Sequence, residues 1–97
     1  MVGYMEEGGK LCCKFEQRLD TVNCLAFENE ILEKVKGFAG EIVFDLEKVN
    51  YVASAFLRLC LRVFKEIGSG RFTVIHVSPE VKRVFKIAGF DKDLKIQ

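Results

Sequence analysis

The chain has no tryptophan, one proline and one histidine in 97 residues. The lone histidine, His76, has no acid and nucleophile pattern around it, so nothing resembling a catalytic triad can be assembled. It reads as structural or surface-exposed. Cys12, Cys13, Cys24 and Cys60 include no Cys-x-x-Cys pair, and His76 lies far along the chain, so no metal motif is visible. Charge of one sign is also missing. Lys+Arg is 15 against Asp+Glu 14, which gives no reason to expect nucleic acid or an anionic membrane as a partner. No apolar run reaches about 18 residues, so no membrane span is expected. The start, Met-Val-Gly-Tyr-Met-Glu-Glu, shows neither a basic n-region nor a long apolar stretch, so no signal peptide is visible. The expected location is cytoplasmic, and the cysteines read as reduced thiols. Gly68-Ser69-Gly70 follows a helical segment and precedes a strand, the wrong order for a phosphate-cradling turn. Repeats, low-complexity segments and linkers are absent, so residues 1–97 form one domain. No catalytic residue and no cofactor is expected.

What is present is a core. Hydrophobic residues make up 49% of the chain, enough for one core without disulfides or metals. The chain is organised around residues 41–67. Ile42-Val43-Phe44, closed by Asp45-Leu46, has the length and β-branched, aromatic content of a central strand buried on both faces. Glu47-Lys48 reads as a polar turn, and residues 49–52 lead to Ala53-Ser54. From Ser54 the period changes. Arg58, Arg62, Lys65 and Glu66 form one narrow polar stripe, so a mostly buried helix starts at a serine. Ser54 suits an N-cap there.

Ahead of this stretch, Met1 to Met5 suits a short strand and Glu6-Glu7-Gly8-Gly9 a turn. Lys10 to Glu16 reads as a second strand with Leu11, Cys13 and Phe15 inward and Cys12, Lys14 and Glu16 on the other face. Arg18-Leu19-Asp20-Thr21 reads as a loop into a helix, with Asp20, Thr21 and Asn23 as the cap candidates. Asp20 and Asp45 follow no spacing rule for paired catalytic acids; a cap and a strand end explain them. Cys24, Phe27, Ile31, Val35 and Phe38 mark the helix's inner face, and Gly37 and Gly40 its end. After Gly68 to Gly70 a strand runs over Arg71 to Val77. Ser78-Pro79-Glu80 then opens a third helix, with serine at the cap and proline at the first helical position. Val81, Val84, Phe85 and Ala88 form its inner stripe, Lys82, Arg83 and Lys86 face out, and Gly89 is the C-cap. Leu94 and Ile96 suit a final short strand. The order calls for an α/β fold: a mixed sheet with an N-terminal hairpin edge, parallel central strands, and three or more helices mainly on one face.

From about Leu11 to Ile96 these segments resemble the STAS domain family, in particular its small single-domain bacterial members that antagonise anti-sigma factors. Residues 18–21 resemble the family's loop into the first helix, and 42–46 its central strand. Residues 77–85, with Ala88-Gly89-Phe90, resemble the closing strand and helix. Tyr51-Val52-Ala53-Ser54-Ala55-Phe56-Leu57 lies where the family has apolar, apolar, Asp, Ser, Ser or Thr, Gly, Leu. Ala53, Ala55 and Phe56 depart from that pattern. The resemblance implies a STAS-like fold and an interaction partner, an anti-sigma factor of the serine-kinase type. It implies reversible phosphorylation at Ser54, where a dianion would meet the positive end of the helix dipole. The partner-binding surface then comprises Leu19, Asp20, Asn50, Tyr51, Ala53, Ala55, Phe56 and Arg58. A large Phe56 in place of glycine would narrow access to Ser54 or add an apolar contact. Two alternatives stand beside this reading. One is a non-phosphorylated STAS scaffold or a subunit of another complex, with homodimerisation open. The other is a small nucleotide- or ligand-binding α/β domain, set back by the missing glycine-rich turn.

Overall fold

The computed structural model describes residues 2–68, 70–92 and 94–97. The elements run β1 (Val2–Glu7), β2 (Lys10–Leu19), α1 (Thr21–Lys36), β3 (Glu41–Val52), α2 (Ser54–Ile67), β4 (Phe72–Ile75), α3 (Pro79–Ile87), a short 3-10 turn (Phe90–Lys92) and β5 (Lys95–Ile96). One five-stranded sheet has the order β1-β2-β3-β4-β5. β1 is antiparallel to β2, and every later pair is parallel. The hairpin turns at Gly8 and Gly9, whose φ values of 59° and 77° suit glycine. Gly40 is required for a different reason: a Cβ there would collide with the carbonyl of Gly9.

Each parallel strand is followed by a helix that crosses to the next neighbour in sequence. Crossovers of one hand, always stepping the same way, place all the helices on one face. Leu11, Cys13 and Phe15 of β2, Ile42, Phe44 and Leu46 of β3, and Phe72 and Val74 of β4 meet the inner stripes of α1, α2 and α3 there. Phe44 and Phe15 meet edge-on at 4.9 Å, and Phe44 meets Phe72 at 4.8 Å. Ile42 to Leu46 are all buried, as a central strand requires. No helix among the described residues covers the second face, where Val43 and Asp45 lie.

Several sequence expectations change. β3 does not turn at Glu47-Lys48 but continues to Val52. Core residues along it fall at Leu46, Val49 and Val52, a spacing of three that a strand reaches only through bulges. The pairing with β2 slips between Lys14 and Glu16 and again between Gln17 and Arg18. Arg18 and Leu19 belong to β2 rather than to a loop. As alternation along the strand predicts, Cys12 lies on the face opposite Cys13, and it is half-buried. β4 ends at Ile75, before His76, whose φ is 56°. Ala88 is exposed and occupies the C-cap of α3, with Gly89 following at φ 80°. Met1 and Ser69, assigned above to the first strand and to the turn after α2, lie outside the described residues. Ser78 caps α3 through its hydroxyl, which accepts from Val81 N at 3.3 Å, with Pro79 next.

Candidate functional site

β2 and β3 run side by side and end together, Leu19 opposite Val52. Each is followed by a helix, so the N-termini of α1 and α2 emerge at one end of the sheet. Ala53 N donates to the Leu19 carbonyl at 2.9 Å, tying the two exits. Asp20 caps α1: its Oδ1 accepts from Asn23 N at 2.9 Å, while the Asn23 side chain donates to the Arg18 carbonyl.

α2 starts differently. Its N-cap is Ala53, in extended conformation, with no side-chain cap hydrogen bond. Ser54 is therefore the first helical residue and not the cap. Its side chain is exposed, in the first turn after the central strand. Two residues on, Phe56 is 0% exposed. Its ring packs edge-on against Phe15 at 5.2 Å and against Phe85 at 6.5 Å. Phe56 neither covers Ser54 nor offers an apolar contact at the surface. It anchors the first turn of α2 to the core and leaves the hydroxyl outside.

The expected surface residues divide accordingly. Asn50, Tyr51, Ser54 and Arg58 are exposed, and Asp20 and Ala53 are half-buried. Leu19, Ala55 and Phe56 are buried, so they support this surface rather than form it. Tyr51 carries the Arg18 guanidinium over its ring at 4.2 Å, a cation–π contact made possible by their pairing across β2 and β3. Val22 and Leu25 in the first turns of α1 were not singled out from the sequence. They are 77% and 64% exposed, unusual for large apolar side chains next to two helix N-termini. Their off-stripe positions in α1, away from Cys24, Phe27 and Ile31, are the signal that could have found them. An ion pair of Arg62 with Glu28, 2.9 Å, joins α2 to α1 below this surface.

Asp20 and Asp45 are not neighbours in function: Asp20 caps α1, whereas Asp45 sits in mid-strand on the helix-free face. There its Oδ1 accepts from Glu47 N at 3.0 Å and lies 2.9 Å from His76 Nδ1. Cys13, Cys24 and Cys60 are buried hydrophobic filling. Burial pushes Cys13 up to about 12, helped by Cys12, and Cys24 up to about 11, helped by Asp20. Burial also holds Cys60 well above the usual thiol range. A concavity of about 660 Å³ lies on the helix-free face, over Cys12, Val43 and Thr73. Ser54 is not among its lining residues. No helix among the described residues is long and apolar enough to cross a membrane.

A helix leaving the middle of a mixed sheet, with an exposed hydroxyl in its first turn and the other helices on the same face, defines the class of fold. The family model of the STAS domain matches residues 5–97, and the chain belongs to that family. It is 30% identical over 84 residues to BtrV of Bordetella bronchiseptica, a candidate anti-sigma factor antagonist, covering 84% of this chain and 72% of that protein. An anti-sigma factor antagonist from Mycobacterium paratuberculosis superposes with a TM-score of 0.89 at 22% identity, over 99% of this chain and 83% of that one. Unphosphorylated SpoIIAA, an anti-sigma factor antagonist, superposes at 0.84 and 18% identity, over 100% and 88%. These structural likenesses define the fold.

Proposed function

We propose that this STAS domain is an anti-sigma-factor antagonist that docks a serine-kinase-type anti-sigma factor on the surface around Ser54 and is switched by phosphorylation of that serine. The observation that carries the reading is the exposed Ser54 hydroxyl at an α2 N-terminus that no side chain caps. A phosphate there gains the favourable end of the helix dipole. It also places about −2 charge beside Val22, Leu25 and Tyr51, where an apolar partner surface would have to pack. The kinase's acceptor group is thus the partner's contact point, and the modification expels the partner. The Bacillus protein SpoIIAA, which has this fold, is known in a phosphorylated form. The protein's own role is binding, with catalysis supplied by the partner.

Ala53 favours a second reading. Where the family places an acid, this chain has a methyl group, so a binding module without the switch is the alternative. Titration of the purified protein against kinase-type anti-sigma factors, with and without ATP, followed by mass spectrometry, separates the two. The switch predicts binding, a single phosphate on Ser54, loss of binding for Ser54→Asp and retention for Ser54→Ala. Binding with no modification of Ser54 supports the scaffold. No binding to any such factor refutes the antagonist function.

A further inference from the structure

The helix-free face holds a cluster that the surface around Ser54 does not use. Asp45, Glu47 and His76 bring one ligand atom each to within 4.8 Å of one another. Asp45 is the central member. Its side chain is 7% exposed, and its charge partner is His76, 2.9 Å away. No lysine or arginine among the described residues makes an ion pair with it. Its recorded partners, Glu47 N and His76 Nδ1, both address Oδ1, so Oδ2 has no hydrogen-bond donor among the described residues.

The other two groups are brought in by irregularities of the strands. The bulge after Leu46 turns Glu47 outward beside Asp45, and Asp45 holds that bulge by accepting from Glu47 N. Across the sheet, Asp45 pairs with Ile75, and the left-handed φ of His76 folds its imidazole back toward the carboxylate. Both Glu47 and His76 are exposed, so their side chains have the freedom to close on an ion. One imidazole and two carboxylates are a hard-to-borderline donor set with positions left for water, the pattern that suits zinc and its divalent neighbours. Ligand atoms around a tetrahedral ion lie about 3.4 Å apart at the usual ~2.1 Å bond, so the exposed Glu47 and His76 must swing inward by about 1 Å to close on it.

We infer that Asp45, Glu47 and His76 form a binding site for a divalent transition cation of the zinc class, bridging β3 and β4 on the helix-free face. Lys14 and Lys48 line the small cavity beside Asp45 and Glu47. Their charge opposes a dication and weakens its binding. The chain has a single histidine, so one imidazole resonance in the NMR spectrum reports the site directly. Titration of the intact protein with zinc chloride should shift the His76 ring signals and saturate at one ion per chain. Glu47→Gln, an exposed and isosteric change, should weaken binding by at least about tenfold, as should His76→Gln. Cys12→Ser and Ser54→Ala should leave it unchanged. No shift of the His76 ring at millimolar zinc, full affinity in Glu47→Gln, or loss of binding in Cys12→Ser would each overturn the site.

Discussion

Replacing Phe56 by alanine tests the anchoring of α2 most directly. The ring is fully buried and faces Phe15, Phe44 and Phe85, with centroids 5.2, 6.0 and 6.5 Å away. Truncation removes those ring contacts and leaves a cavity between α2 and the sheet, a change that typically costs about 3–5 kcal/mol. A domain of this length has a total stability of about 5–15 kcal/mol, so the variant keeps a fold with a much reduced margin. At about 4–8 °C per kcal/mol for this size, the melting midpoint should fall by roughly 12–40 °C. The chain lacks tryptophan, so urea and thermal unfolding are best followed by far-UV circular dichroism. Phe56→Leu keeps most of the apolar volume and should lose less stability. Because Phe56 does not reach the surface, Phe56→Leu should also bind the partner like the parent protein. A stability loss below about 1 kcal/mol for Phe56→Ala, the range of ordinary surface changes, would refute the core placement. An intact fold with lost partner binding in Phe56→Leu would put the ring back in the interface.

Three further outcomes are expected. Ala53→Asp supplies the missing cap of α2 and should raise stability by about 0.5–2 kcal/mol, read as a higher urea midpoint at unchanged slope; an unchanged or lower midpoint would contradict the helix start described above. Leu25→Glu, at a 64% exposed position, should shift stability by no more than about 0.5 kcal/mol yet weaken partner binding at least about tenfold, measured by calorimetric titration. Retained affinity would move the interface away from α1. Burial raises the Cys13 thiol from 9.0 to about 12. The unfolded chain therefore loses that proton first, and the stability contributed by the neutral buried thiol is full below pH 9 and is lost as pH rises toward 12. The stability difference between parent and Cys13→Ala should shrink across that window, and a difference independent of pH would contradict the assignment.

Much of the fold was legible from local signals. Ser78-Pro79-Glu80 announces α3 because a cap hydroxyl and a first-position proline act within four residues. Cys24, Phe27, Ile31 and Val35 announce the buried side of α1 because helical spacing alone puts them together. Glu47-Lys48 misled because two polar residues inside a bulged strand look like a turn; only pairing with β2 holds them extended. Leu19, Ala55 and Phe56 were placed at the surface by the family resemblance, but Leu19 at the end of β2 and Ala55 and Phe56 in the first turn of α2 join the core between sheet and helices. Val22 and Leu25 were passed over because exposure depends on what does not pack against a residue.

The order of residues by itself determined an α/β fold, its parallel centre and a serine in the first turn of the second helix, because periodicity, capping and turn chemistry are short-range. Tertiary structure alone decided that Ala53 rather than Ser54 is the cap and that Phe56 lies in the core while the hydroxyl stays outside. It also decided that Asp45 and His76, 31 positions apart, meet on the helix-free face. Those outcomes depend on which strands become neighbours, and neighbours distant in sequence are chosen by the packing of the whole chain.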